Sequence, residues 1–95
     1  MIEFDVGKDA DNQQKHGMPL GAAELLFDGP YIEEEDARLD YGETRFIATG
    51  PVAAFGGRIF VVVYTWRSTI RRIISFRKAN EREIAKYQAS HPQAG

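Results

Sequence analysis

Ile59-Phe60-Val61-Val62-Val63-Tyr64 is the run that most restricts this chain. Its six residues are apolar at odd and even positions alike, so a strand built from them buries both faces. Such a strand belongs in the interior of a sheet, with a neighbour on each side. The run is far too short to span a bilayer, so no membrane segment is expected. Its neighbours are legible on either side. Thr44 to Thr49 reads as a strand, and Gly50-Pro51 and Gly56-Gly57 bracket a loop before the central run. Arg67-Ser68-Thr69 is a short connection, and Ile70 to Arg77 forms the returning strand of a hairpin.

The flanking segments supply helices. Met1 to Val6 alternates like a short strand, and Lys8 to His16 is helix-compatible, with Gly17 as a left-handed stop. Pro19 suits the first turn of a second helix, in which Leu20, Ala23 and Phe27 share one face. Asp28-Gly29-Pro30 turns the chain into a short strand at Tyr31 to Glu34. Asn80 and Glu83 have the spacing of a capping box, which predicts a helix to about Ala89 with Ile84 and Tyr87 inward. The order β-α-α-β-β-β-β-α predicts an α+β fold: an antiparallel meander, two N-terminal helices and one C-terminal helix. One helix layer should cover one face and leave the other partly open. The expectation is a single domain over residues 1–90 and a frayed tail over 91–95 that includes His91.

Composition narrows the chemistry. Ninety-five residues, 43% of them apolar, suffice for one core. With no cysteine there is neither a disulfide nor a thiolate zinc site, which fits a reducing cytosol. Met1 to Asp5 has no basic stretch and no long apolar run, so no signal peptide is expected and the chain reads as cytoplasmic.

The net charge of −2 conceals two unlike halves. Arg58 to Lys86 carries eight cations against two carboxylates, a net of +6, whereas residues 1–57 carry −8. A basic sheet bearing aromatic residues suits a polyanion. Strict alternation along Ile70 to Arg77 puts Arg71, Ile73, Ser75 and Arg77 on one face and Arg72, Ile74 and Phe76 on the other. Ile74 and Phe76 look core-facing, so Arg72 is out of place unless it snorkels at an edge or a bulge re-aims it. Arg67, Arg71, Ser75 and Lys78, with Trp66, make up the expected polyanion-contacting set. A guanidinium suits phosphate because its fork donates two parallel hydrogen bonds. The competing reading is that these arginines merely solubilise a sheet face. Tyr64 and Trp66 offer rings on which a base can stack, or else they pack into the core.

Lys15 and His16 end the first helix. His16 can act as a general base, or simply complement the helix dipole. Glu33-Glu34-Glu35-Asp36 reads as a solvated edge or loop, with a basic partner's docking surface as the alternative. Tyr41-Gly42-Glu43 looks like a turn, and Glu43 is either an acid/base group or an ion-pair partner of Arg45. No P-loop, nucleophile elbow or HExxH motif is present.

Several ordered pieces resemble the BrnT-type toxins of bacterial toxin–antitoxin pairs. They are Lys8-x-x-x-Asn12-x-x-Lys15-His16-Gly17, Ala22-Ala23, Phe27-Asp28-Gly29-Pro30 and Tyr41-Gly42-Glu43-x-Arg45-Phe46-Ile47-Ala48-x-Gly50. Val61 to Thr65, Arg72-x-Ile74-Ser75-x-Arg77-Lys78-Ala79, Glu83 and Tyr87 complete the set. The resemblance implies a RelE-like fold and an RNA-cleaving toxin that inhibits translation. It implies a cognate antitoxin with a ribbon-helix-helix part, and contact with operator DNA only through that complex. It carries Lys15, His16, Tyr64, Arg72 and Arg77 over as catalytic positions, and Glu43 with Arg45 as an acid/base or structural pair. Cleavage would need neither metal nor cofactor. The alternative is a non-catalytic module that binds a nucleic acid or a protein with its basic sheet face. Departures from the family pattern are Val6-Gly7 where Trp-Asp is usual, Phe76 where a small residue is common, and an acidic total.

Overall fold

The computed structural model describes residues 1–37 and 42–90. Tyr41 of the expected turn and the 91–95 tail lie outside them. The chain runs β1 (Ile2–Phe4), α1 (Val6–His16), a 3₁₀ segment (Leu20–Asp28), β2 (Ile32–Asp36) and β3 (Arg45–Val52). A short 3₁₀ turn (Ala53–Phe55), β4 (Arg58–Arg67), β5 (Ile70–Lys78) and α2 (Glu81–Ser90) follow. The five strands form one sheet in the order β1-β5-β4-β3-β2. β4, which contains the doubly apolar run, is the central strand, as its pattern requires.

The sheet is mixed, which corrects the expectation of a purely antiparallel one. β2 to β5 form the antiparallel meander, but β1 pairs parallel with β5, Phe4 opposite Ile73. A parallel pair needs a long crossover, and here the whole intervening chain supplies it. The second helix also differs from expectation. It is 3₁₀ over its length, and its buried residues, Leu20, Ala23 and Leu26, recur every three positions. Phe27, assigned to that face by an α-helical period, instead packs edge-on against Tyr31 and Tyr64.

Gly50-Pro51, read as the start of a loop, continues β3. Pro51 sits beyond the end of β2, where β3 lacks a second neighbour and a missing N–H costs least. Gly50 is needed for close approach, since a Cβ there would lie 2.5 Å from the Pro30 carbonyl oxygen. The acidic run forms edge strand β2, and its last residue, Asp36, is buried. Charged side chains on an edge strand discourage pairing with other chains.

Side-chain alternation divides the sheet into two faces. Phe60, Val62 and Tyr64 on β4 point with Ala48, Ile73 and Phe76 toward the helical layer, where Leu20, Ala23 and Leu26 meet them. Phe60 and Phe76 stack at 5.0 Å. Each such fully buried side chain contributes about 1.5–3 kcal/mol. Val61, Val63 and Thr65 point to the opposite face, called outer below. α2 reaches this outer face over the β2–β3 half, where Lys86 pairs with Glu34. The helices therefore lie on both faces, with α2 over the β2–β3 half of the outer one.

α1 is weakly apolar, and its one buried residue is Asn12. Asp5 caps its start by accepting from the Lys8 N–H at 3.0 Å. Gly17 ends it in the left-handed conformation, φ 71°. Because β1 stops opposite Ile73, β5 has no strand beside Phe76. Asn12 takes that place: its Nδ2 donates to the Phe76 carbonyl at 2.7 Å, and its Oδ1 accepts from the Phe76 N–H at 3.2 Å. Nδ2 also donates to the Met18 carbonyl at 2.8 Å, which ties the end of α1 to the sheet. The Asn80–Glu83 capping box forms as expected, with reciprocal bonds of 2.9 and 2.8 Å.

Candidate nucleic-acid interface

The pairing of β5 with β4 slips by one residue. Val63 stands opposite Ser75 and Tyr64 opposite Ile73, so Ile74 is an extra residue in β5. A bulge of this kind inverts the alternation on one side of it. Thr65 then pairs with Arg72, Val63 with Ser75 and Val61 with Arg77, and all six residues lie on the outer face. Strict alternation had grouped Arg71 with Ser75 and Arg77 and set Arg72 apart. The bulge exchanges the two arginines, and Arg72 joins Ser75 and Arg77.

Register gives the spacing. Arg72 and Arg77 are four β4 residues apart, roughly 13 Å along the sheet, and Ser75 lies midway. Each arginine is paired with a carboxylate. Arg72 Nη1 donates to Glu3 Oε2 at 2.6 Å from the paired position on β1. Arg77 donates both η nitrogens to Glu83 at 2.8 Å each. Each guanidinium is thus held by a different carboxylate.

A hollow of about 180 Å³ opens beside Ser75, lined by Lys8, Asp11, Asn12, Lys15, His16, Ile74 and Ser75. Lys15 and His16 occupy the last turn of α1, where the helix dipole favours cations. Ser75 belongs both to this hollow and to the Arg72–Arg77 row. The hollow and the row therefore adjoin at Ser75.

Tyr64 stands apart from both. Its ring is fully buried on the helical side of the sheet, stacked on Phe46 at 5.6 Å and edge-on to Phe27 and Trp66. Its hydroxyl donates to Glu33. Burial first, and then the Glu33 carboxylate, push its pKa up to about 12. At neutral pH it is a hydrogen-bond donor and not a base.

Arg71 joins this second cluster. Its guanidinium lies 3.9 Å from the Phe27 ring centroid and 4.7 Å from that of Trp66, and it donates to the Tyr31 hydroxyl at 3.2 Å. Trp66 remains 43% exposed beside it. Glu43 lies within ion-pair distance of Arg45 at 3.9 Å and Arg67 at 3.7 Å. Lys78 is exposed at the far end of β5, opposite Phe60. Among the described residues, no group of three or more His, Cys, Asp or Glu side chains is placed to hold a metal ion. No helix among them is long and apolar enough to cross a membrane.

Sequence reasoning passed over the groups that hold these side chains. Glu83 was legible as a cap but not as the partner of Arg77. Glu3 gave no signal, and Glu33 stood out only within the acidic run, because their partners are remote in sequence. Asn12 stood out only as part of a motif.

A family model described as "Ribonuclease toxin, BrnT, of type II toxin-antitoxin system" matches residues 4–83. The fold is similar to that in the 1.1 Å crystal structure of the Brucella abortus ribonuclease toxin, BrnT. The TM-score is 0.62 at 23% sequence identity, over 84% of this chain and 96% of that one. No curated protein sequence matches the chain.

Proposed function

The chain belongs to the BrnT family of ribonuclease toxins of type II toxin–antitoxin systems, and from that premise we propose that it cleaves RNA on the outer face of β5. The observation that carries this reading is the Ile74 bulge, which sets Arg72 and Arg77 on either side of Ser75, beside Lys15 and His16. A phosphodiester seated over Ser75 would have the backbone position of an arginine about 7 Å along the strand in each direction. Both arginines would turn to it from their present carboxylates.

The chemistry proposed is transesterification without a metal. The 2′-oxygen attacks the adjacent phosphorus, the bond to the 5′-oxygen of the next nucleotide breaks, and a 2′,3′-cyclic phosphate remains. His16 accepts the 2′-hydroxyl proton, and a proton is returned to the departing 5′-oxygen. Arg72 and Arg77 stabilise the charge that grows on the phosphoryl oxygens. Lys15 holds the phosphate in place. Tyr64, on the opposite face, shapes the central strand under this site and takes no proton. Trp66 and Arg71, with Arg67 nearby, offer a stacking surface at the end of the sheet for a flanking base.

This reading extends to the cell. RNA cleavage in the cytoplasm would stop translation, on a RelE-like scaffold. A cognate antitoxin of the ribbon-helix-helix type would mask the cationic face and carry the complex to operator DNA. The test is to incubate the purified protein with RNA in EDTA and analyse the ends. Cleavage to 2′,3′-cyclic phosphate and 5′-hydroxyl termini is expected. Intact RNA, with and without ribosomes, would leave only a binding module.

A further inference from the structure

We propose that Glu83 is a built-in competitor for the RNA phosphate at Arg77, so that α2 restrains RNA binding by the free protein. The inference rests on the reading that the outer face of β5 binds RNA. Its basis is the geometry of one carboxylate. Glu83 Oε1 accepts from Arg77 Nη1 and from the Asn80 N–H, and Oε2 accepts from Arg77 Nη2, at 2.8, 2.9 and 2.8 Å. The planar fork that would grip a phosphate is thus filled by a carboxylate of matching shape. A phosphodiester and a carboxylate each carry one negative charge. Binding RNA at Arg77 therefore exchanges one anion for another and gains little.

The same carboxylate closes the capping box that starts α2, because Asn80 Oδ1 accepts from the Glu83 N–H at 2.8 Å. α2 is tied at a second point, where Lys86 holds Glu34 at 2.6 Å. Releasing Arg77 consequently loosens the first turn of α2, and holding α2 keeps Arg77 occupied. Arg72 faces a weaker version of the same competition. It gives Glu3 one bond, and Glu3 caps no helix.

Glu83→Gln separates competition from structure. Glutamine still accepts from the Asn80 N–H, so the capping box survives, but the charge holding Arg77 is gone. The probe is a single-stranded RNA with 2′-methoxy groups, which binds without being cleaved, followed by fluorescence anisotropy across a salt series. The expected result is roughly fivefold tighter binding than wild type. The slope of log affinity against log salt should also steepen by about 0.7, the value for one more neutralised phosphate on a single strand. Arg77→Gln added to Glu83→Gln should return both to wild-type values. Unchanged or weaker binding by Glu83→Gln, with helix content intact by circular dichroism, would overturn the proposal. So would an absence of binding by both proteins. Cleavage of unmodified RNA is read separately: its failure with binding intact removes the ribonuclease mechanism and leaves the competition standing.

Discussion

Arg72→Ala should slow RNA cleavage about 10²–10³-fold while the protein stays folded. The size follows from the role. A positioned cationic donor acting on charge that develops in the transition state is worth that factor when removed. The fold should tolerate the change because Arg72 is partly exposed and its partner Glu3 keeps 38% of its side-chain surface in water. A pair of that kind contributes at most about 1 kcal/mol. Arg71→Ala is the informative comparison. Arg71 is the adjacent residue but lies on the opposite face, stacked on Phe27 and Trp66. Its loss should lower stability through the lost aromatic contacts and leave the chemical step largely intact. Single-turnover cleavage rates and melting temperatures on both variants separate the two. Strict alternation along β5 predicts the reverse ranking, so the pair of variants also tests the bulge.

Asn12→Leu should destabilise the protein by about 3 kcal/mol. Asn12 makes three hydrogen bonds with its side chain, two of them to the backbone of Phe76. Each such bond contributes about 1 kcal/mol, and removing the partner of a buried backbone group costs a further 1–3 kcal/mol. Leucine fills similar space but offers nothing to the Phe76 N–H and carbonyl. For a domain of this size, with a total stability of about 5–15 kcal/mol, the loss is a large fraction. The melting temperature should fall by more than about 10 °C. Hydrogen exchange at the Phe76 amide should accelerate well beyond that of Val62, its cross-strand partner. A loss under 1 kcal/mol would mean that β5 does not depend on α1 for its edge.

Much of the fold was legible because its signals were local. The doubly apolar run of β4 fixed the centre of the sheet. Gly17 marked the end of α1, and Asn80 with Glu83 marked the start of α2. What escaped was long-range. Nothing in Met1 to Val6 says that β1 will pair parallel with a strand near the other end of the chain, since that choice depends on how the helical layer returns. The three-residue period of Leu20, Ala23 and Leu26 was hidden by a plausible α-helical reading through Phe27.

Alternation misgrouped the β5 arginines for one reason: a single inserted residue. Alternation is a rule for regular strands, and the bulge at Ile74 breaks it in the middle of the cationic strand. The sequence did contain the hint, because Arg72 on the core side made no physical sense without a bulge or an edge. Trp66 stays partly exposed, for it stands at the hairpin end. Tyr64 could not be resolved, because an apolar run that buries both faces says nothing about which side a given ring takes.

The central claim is that RNA lies on the outer face of β5, between Arg72 and Arg77 and beside the end of α1. Backbone amide and arginine side-chain NMR signals, followed while a 2′-methoxy single-stranded RNA is titrated in, test it most directly. The predicted result is a contiguous set of shifts at Arg72, Ser75, Arg77, Lys15 and His16. Shifts confined to Tyr31, Arg71 and Trp66, or to the α2 cleft around Glu34 and Lys86, would place the RNA elsewhere and contradict the account.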